Sequence, residues 1–322
     1  MRRLLWGSFS VPLLMVTLSA TASGASSTEN CATLDAQDAP QSPVQWFERS
    51  LLAGHCYRFD ALAVRFGAGG FRSLAIHHGV DAEGERESIH FLDGPRQQFE
   101  RRGHFLRNGW FEQPAGEVKD IERQAVSQLD SHYRFTIEGK GRIADREVVV
   151  LSIVPRDGMR YAHQLWLDKT TALPLKQLLI DESGNILEAF QISQLSAPEL
   201  FKGELQIDQT EAASPDASDW QAQWLPPGYE QKPVEAKVDI DGAPMTRQLY
   251  SDGLSTLSVF VGPLADATAL REGVHRLGVL QAAVRHMEHQ GEPYQVVVVG
   301  EVPTEVLTRI VTSVQWQNTP SS

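Results

Sequence analysis

The chain has 322 residues, 42% of them apolar and 22% charged, and a formal net charge of −12. Such a composition excludes a disordered chain, and the length favours two domains over one. The acidic balance argues against nucleic acid as a partner and against blanket adsorption to anionic membranes, so an anionic ligand must meet a local basic patch.

The opening residues read as a secretory signal peptide. Arg2 and Arg3 give a basic start, an apolar stretch runs from Leu4 to Leu18, and Ala20-Thr21-Ala22 offers small residues for cleavage. Pro12 and several serines interrupt the stretch, which is also short for a membrane span. Removal of residues 1–22 leaves a soluble, exported chain and takes away two arginines, so the formal charge falls from −12 to −14. Residues 23–41 are small and polar and are expected to form a flexible leader. The chain has two cysteines, Cys31 and Cys56. Export permits a disulfide between them, and two free thiols are the alternative.

A helix is expected from Ser42. Ser42-Pro43-Val44-Gln45 combines an N-cap serine, proline at the first helical position and glutamine at the capping-box position. Val44, Phe47 and Leu51 recur on one face, and Gly54 can end the helix. From His55 to Arg107 short β-rich runs are parted by turn signals at Gly67-Ala68-Gly69-Gly70, Glu83-Gly84 and Asp93-Gly94-Pro95. A second short helix is expected over Asp120–Leu129, then strands over His132–Glu138 and Arg146–Val154. Tyr161–Ile192 reads as a three-stranded meander. Residues 42–200 thus predict an α+β fold that is mostly β, one antiparallel sheet of nine or ten strands with two helices. In Ile186–Ile192 apolar residues fall on both faces, which suggests a sheet curved around a helix or an apolar hollow; a plain sheet-on-helix core is the alternative.

Residues 201–219 have a linker composition. Residues 220–316 read as a smaller α+β domain with a strand over Leu254–Gly262, a valine-rich strand over Tyr294–Glu301 and a closing helix over Thr304–Val314.

Motifs for catalysis are absent. The chain has no G-x-S-x-G, no H-E-x-x-H, no phosphate loop and no dinucleotide fingerprint, so neither an enzyme nor a cofactor is expected. His77 and His78 face opposite ways on a strand, His286 and His289 lack a third ligand, and His55, His90 and His104 are scattered, so no metal site is expected. The best chemical signal is basic. Arg96, Arg101, Arg102 and Arg107 interleave with Phe99, Phe105, Trp110 and Phe111. Guanidinium forks bind phosphate and the aromatics suit acyl chains, which makes Arg96, Arg101, Arg102, Phe99, Phe105 and Trp110 candidate lipid-binding residues. The competing reading is a solvated edge strand whose charges discourage aggregation.

The stretch RYAHQLWLDKTTALPLKQLLIDESGNILEAFQISQL, Arg160 to Leu195, resembles the MucB/RseB family of periplasmic sigma-factor regulators. So do Val149–Asp157, Trp224-Leu225-Pro226-Pro227-Gly228, Asp252-Gly253-Leu254 with Ser258-Val259-Phe260, and Val299–Pro303. The resemblance runs from about Val148 to the C-terminus. It departs at Ala172, where the family usually has glycine and where a positive φ would strain alanine. Cys31 and Cys56 match no family cysteines.

The resemblance implies an N-terminal domain similar to the LolA and LolB lipoprotein carriers, an unclosed β-barrel around helices, with a smaller C-terminal domain and self-association into a homo-oligomer. It implies binding to the periplasmic region of a membrane-anchored anti-sigma factor, protection of that partner from proteolysis, and response to lipopolysaccharide or another acyl ligand. It also implies a strand over Leu277–Met287, where spacing alone suggests a helix. A periplasmic lipid or lipoprotein carrier is the alternative function, and an exported hydrolase a more distant one.

Overall fold

The computed structural model describes residues 27–36, 38–67, 70–81, 84–94, 96–102, 129–207, 218–232, 234, 236–240, 243–264, 269–277 and 280–317. Strand β1 (Ser27–Asn30) and the short helix α1 (Thr33–Ala36) precede helix α2 (Pro43–Cys56). The N-cap of α2 is Ser42, whose side chain accepts from the Gln45 amide while the Gln45 side chain accepts from the Ser42 amide. Two otherwise orphaned donors are thereby satisfied. The helix runs two residues past Gly54, because the chain passes straight from Cys56 into a strand.

The large sheet follows. Its strands are β2 (Tyr57–Gly67), β3 (Gly70–Asp81), β4 (Gly84–Phe91), β5 (Gln98–Arg102), β6 (Tyr133–Ile143), β7 (Arg146–Pro155), β8 (Ala162–Asp168), β9 (Pro174–Ile180), β10 (Ile186–Leu195) and β11 (Glu199–Leu200). All are antiparallel, in the order β5-β4-β3-β2-β10-β9-β8-β7-β6, with β11 beside β2. β5 and β6 lie at opposite edges and do not pair, so the sheet is curved but unclosed. The meander expected over Tyr161–Ile192 is β8, β9 and β10. The expected helix over Asp120–Leu129 lies outside the described residues except for Leu129.

One face of the sheet wraps α2. Phe47 joins Leu129, Tyr133, Phe135, Leu151, Ile153, Leu165 and Leu167 in one core cluster. Ala53 and Cys56 join a second, with Tyr57, Phe59, Leu74, Ile76, Leu173, Leu175, Phe190 and Ile192. Each large apolar side chain buried there contributes about 2 kcal/mol, so α2 is held chiefly by the two clusters it separates. The alternation on β2 is clean: Tyr57, Phe59, Ala61 and Ala63 are buried, while Arg58, Asp60, Leu62 and Val64 are exposed.

The expected loose leader is partly ordered. Cys31 and Cys56 are joined, with Cα atoms 5.5 Å apart. β1 pairs antiparallel with β12 (Glu204–Ile207), inside the expected linker. The polar sequence of β1 carried no strand signal, because its partner lies far away in sequence.

A second sheet follows β13 (Trp220–Ala222). It contains β14 (Glu230–Lys232), β15 (Lys237–Ile240), β16 (Ala243–Ser251), β17 (Thr256–Pro263), β18 (Gly273–Leu277), β19 (Leu280–His289) and β20 (Glu292–Gly300). The order is β14-β16-β17-β20-β19-β18, with β15 also beside β16. Helix α3 (Thr304–Ser313) covers one face, burying Val306, Leu307, Ile310 and Val311 against Leu257, Val259, Val296 and Val298. β21 (Val314–Trp316) closes the chain against β13. Of the stretch expected as strand over Leu277–Met287, Leu277 ends β18 and residues 280–287 lie in β19, which pairs with β18 and β20.

Candidate functional site

The junction between the two sheets is built on one buried arginine. Arg160, just before β8, has a fully buried side chain. Its Nε donates to Asp252 Oδ2 at 2.7 Å, and its terminal nitrogens donate to the Asp157 carboxylate and the Pro227 carbonyl. The guanidinium carbon lies 5.2 Å from the Tyr229 ring centre and 5.7 Å from that of Tyr133. Asp252 sits in the turn between β16 and β17. Its Oδ2 also accepts from the Tyr133 hydroxyl at 2.8 Å, and its Oδ1 accepts from the amides of Leu254 at 2.9 Å and Ser255 at 2.8 Å. The charge pair is desolvated but fully hydrogen-bonded, the arrangement in which a buried pair is tolerated. Burial, then the Asp252 carboxylate, push the Tyr133 hydroxyl well above its ordinary range.

Apolar contacts follow the same path. Leu254, from the β16–β17 turn, is buried in the large sheet's own cluster with Phe47 and Tyr133. Met159 packs in turn against the cluster beneath α3. Gly228 has φ +86°, and a Cβ there would collide with the His132 imidazole, so only glycine lets this turn approach the large sheet so closely. At the other end of the junction the Gln281 amide donates to the Tyr161 hydroxyl at 2.8 Å. His163 is buried nearby, and burial lowers its pKa to about 4 against the opposing pull of Asp252.

A second polar cluster lies between β10, β2 and the turn after β20. Arg65 makes a two-bond fork to Glu188 at 3.1 and 3.0 Å. Burial and then the Glu188 charge push Glu301 up to about 7, against the pull of Arg65. A third lies within the large sheet. Glu85 bridges His78, at 2.7 Å, and His55, at 2.8 Å. The other ring nitrogen of His78 faces the Tyr57 carbonyl at 2.6 Å. Burial opposes ionisation of Glu85, but the two imidazoles outweigh it and hold its carboxyl well below the usual range. His77 points the opposite way and bonds Asp60 at 2.7 Å on the exposed face, as strand alternation requires.

The sequence-selected basic residues sit elsewhere. Arg96 is exposed just before β5. Phe99 is half-buried and meets Phe91 edge-on, with ring centres 5.9 Å apart. Arg101 and Arg102 end edge strand β5, opposite Glu87 and Arg86 in register. Phe105, Arg107, Trp110 and Phe111 lie outside the described residues. Sequence reasoning gave no role to Arg160, Asp252, Glu85, Glu188 or Glu301, although Arg160 and Asp252 stand within the stretches that carry the family resemblance.

Among the described residues no helix is long and apolar enough to cross a membrane. The MucB/RseB N-terminal domain model matches residues 42–227, and the MucB/RseB C-terminal domain model matches residues 214–315. The chain is 32% identical over 286 residues to the sigma factor AlgU regulatory protein MucB of Pseudomonas aeruginosa, covering 84% of this chain and 90% of that one. It is 26% identical over 290 residues to the sigma-E factor regulatory protein RseB of Escherichia coli K12, covering 82% and 88%. The structure of the Pseudomonas aeruginosa MucA/MucB complex superposes with a TM-score of 0.68 at 29% identity, covering 86% of this chain and 99% of that one. MucB in complex with MucA(peri) gives 0.66 at 31% identity, again with 86% and 99% covered. These relatives bear the names of regulatory proteins, in keeping with a chain whose sequence carries no catalytic motif. Matched along both sheets, the chain belongs to the MucB/RseB family.

Proposed function

We propose that the chain is a periplasmic regulator that binds the periplasmic region of a membrane-anchored anti-sigma factor and shields it from proteolysis. The observation that carries this reading is the match across both sheets to MucB as it stands in complexes with MucA, at TM-scores of 0.68 and 0.66. The Arg160–Asp252 junction supports it, because it gives the two sheets one fixed relative arrangement against which a peptide can be held. Residues 1–22 direct export and are removed. Residues 42–200 and 220–316 act as separate domains that are joined through the linker, and the protein self-associates as a homo-oligomer.

Lipopolysaccharide or another acyl ligand releases the partner. A ligand does this only by favouring an arrangement that the partner does not. Arg101 and Arg102, ending edge strand β5, serve as phosphate contacts.

The test uses the chain without residues 1–22, titrated calorimetrically with the periplasmic segment of the anti-sigma protein of the same organism. Saturable binding that lipopolysaccharide weakens is expected. No binding at micromolar concentrations sinks the reading, and lipid transfer without partner binding favours a carrier. The double change Arg101→Ala with Arg102→Ala is expected to blunt the lipopolysaccharide effect and spare partner binding. An unchanged lipopolysaccharide effect assigns both arginines to solubility.

A further inference from the structure

Two arginines are buried among the described residues, and the fold treats them differently. Arg160 has two carboxylates, a carbonyl and two aromatic rings around it. Arg247, on β16, is 4% exposed and has almost nothing. Its Nη2 donates to Ser258 Oγ at 3.3 Å, its guanidinium carbon lies 5.7 Å from the Phe260 ring centre, and its Nε is buried with no hydrogen-bond partner. No acidic side chain among the described residues pairs with it, and burial alone accounts for the lowering of its pKa. A buried guanidinium without a carboxylate carries a desolvation penalty of several kcal/mol, and among the described residues no acidic side chain offsets it.

Its surroundings indicate what does. Arg247 lies on the face of the small sheet turned away from α3, across the ladder from Phe260. On that face Met245, Ala282, Val284 and Val297 form an apolar cluster with Val238, Phe260 and Val299 against it. Lys232, on β14, stands opposite Leu249 on the same face and is paired with Glu230. An Nε–H beside an Nη2–H presents two parallel donors, which match the two oxygens of one carboxylate. A phosphate would leave further oxygens short of donors, since among the described residues the Ser258 hydroxyl is the one side-chain group bonded to the guanidinium.

We propose that Arg247 is a carboxylate-binding site on the face of the small sheet turned away from α3, and that it receives an acidic side chain, flanked by apolar residues, of the bound partner peptide. This assignment rests on the partner-binding reading above and names the chemistry of that contact.

The guanidinium can be watched directly. In the chain without residues 1–22, the Arg247 Nε–H resonance is followed by 15N NMR during titration with sodium acetate, with inorganic phosphate and with the anti-sigma periplasmic segment. Acetate and the segment are expected to shift it, and phosphate to do so less. Arg247→Gln is expected to weaken segment binding about tenfold or more, the range of a charge-assisted hydrogen bond. One acid-to-amide change in the segment should reproduce that loss, and combining it with Arg247→Gln should add little further. Arg247→Lys, which keeps the charge but loses the fork, should restore only part of the affinity. Thermal melts report whether each variant is folded. If the wild-type chain binds the segment while Arg247→Gln binds within twofold of it and the resonance does not move, the carboxylate assignment is wrong and the partner reading stands. If the wild-type chain does not bind the segment, both fall. A stronger response to phosphate than to acetate overturns the choice of ligand.

Discussion

Ala172 shows how one side chain can oppose its own backbone and still be retained. It has φ +61° and is 1% exposed. The turn is fixed from outside the residue. Asp168 Oδ1 accepts from the Thr170 amide at 3.0 Å and from the Thr171 amide at 2.8 Å, and the Ala172 amide donates to the Asp168 carbonyl at 2.8 Å. The glycine usual in the family would relieve about 1 kcal/mol of left-handed strain. It would also remove a buried methyl worth about 0.8 kcal/mol. Ala172→Gly is therefore expected to leave stability within about 0.5 kcal/mol, measured by urea unfolding; a gain above 1 kcal/mol would show that the methyl contributes nothing. Asp252 is the opposite case, since its loss leaves the buried Arg160 with the Asp157 carboxylate alone. Asp252→Asn is expected to destabilise by about 3 kcal/mol, whereas Asp252→Asn with Arg160→Met should recover much of that, because the buried guanidinium is gone as well. An uncorrected double variant would show that the pair matters for shape rather than charge. At Arg247 the sign reverses: Arg247→Met should raise the urea midpoint, since it removes an unpaired buried charge while costing partner affinity.

At the scale of elements, what could be read from sequence divides by how local the determinant is. α2 was legible because its start signal, Ser42 to Gln45, is complete within four residues. The meander of β8, β9 and β10 was legible because its turns carry their own residue signatures, as at Asp181, whose Oδ1 accepts from the Ser183 and Asn185 amides at 2.9 and 2.8 Å. β19 shows the limit. Val284 and Met287 have helical spacing, and the pairing of β19 with β18 and β20 decides for strand. β1 was illegible for the same reason: a polar four-residue run becomes a strand because β12 meets it and the Cys31–Cys56 link holds the segment after it. The candidate site was the least legible part. Arg160 and Asp252 are 92 residues apart, and nothing near either one announces the other. Hydrogen exchange can test the β1 account. Replacing both cysteines by serine is expected to cost about 3 kcal/mol in the chain-entropy view and to strip exchange protection from β1 and β12 before the rest of the large sheet. Uniform loss of protection would mean that the disulfide supports the whole sheet rather than this clamp.

For the molecule as a whole, the two sheets meet through groups whose titrations pull in opposite directions. His163 is lowered from 6.5 to about 4 by burial, so between those values the unfolded chain binds the extra proton and stability rises with pH. Glu301 is raised from 4.5 to about 7, chiefly by burial and then by Glu188. Over that window the folded chain holds the extra proton, and stability falls as pH rises. At about 1.4 kcal/mol per pH unit each displacement is worth roughly 3 kcal/mol at most. Glu301 is only partly buried by exposed area, so its share is nearer 1–2 kcal/mol once solvent screening is allowed for. The two nearly offset, and the wild-type chain should gain little stability between pH 5 and pH 7. Glu301→Gln removes the falling contribution and leaves the rising one. Its unfolding free energy should therefore climb by about 1–2 kcal/mol more than the wild type's over that interval. His163→Gln should do the reverse, becoming less stable at pH 7 relative to pH 5. Below pH 4.5 all three proteins should lose stability together, because Glu85 and Asp168, both held below their ordinary pKa, must take up protons on unfolding. A wild-type profile that already climbs as steeply as that of Glu301→Gln would mean that Glu301 is ionised at the junction throughout. Glu188, Arg65 and Glu301 would then form a solvated network rather than a proton-holding contact between the sheets.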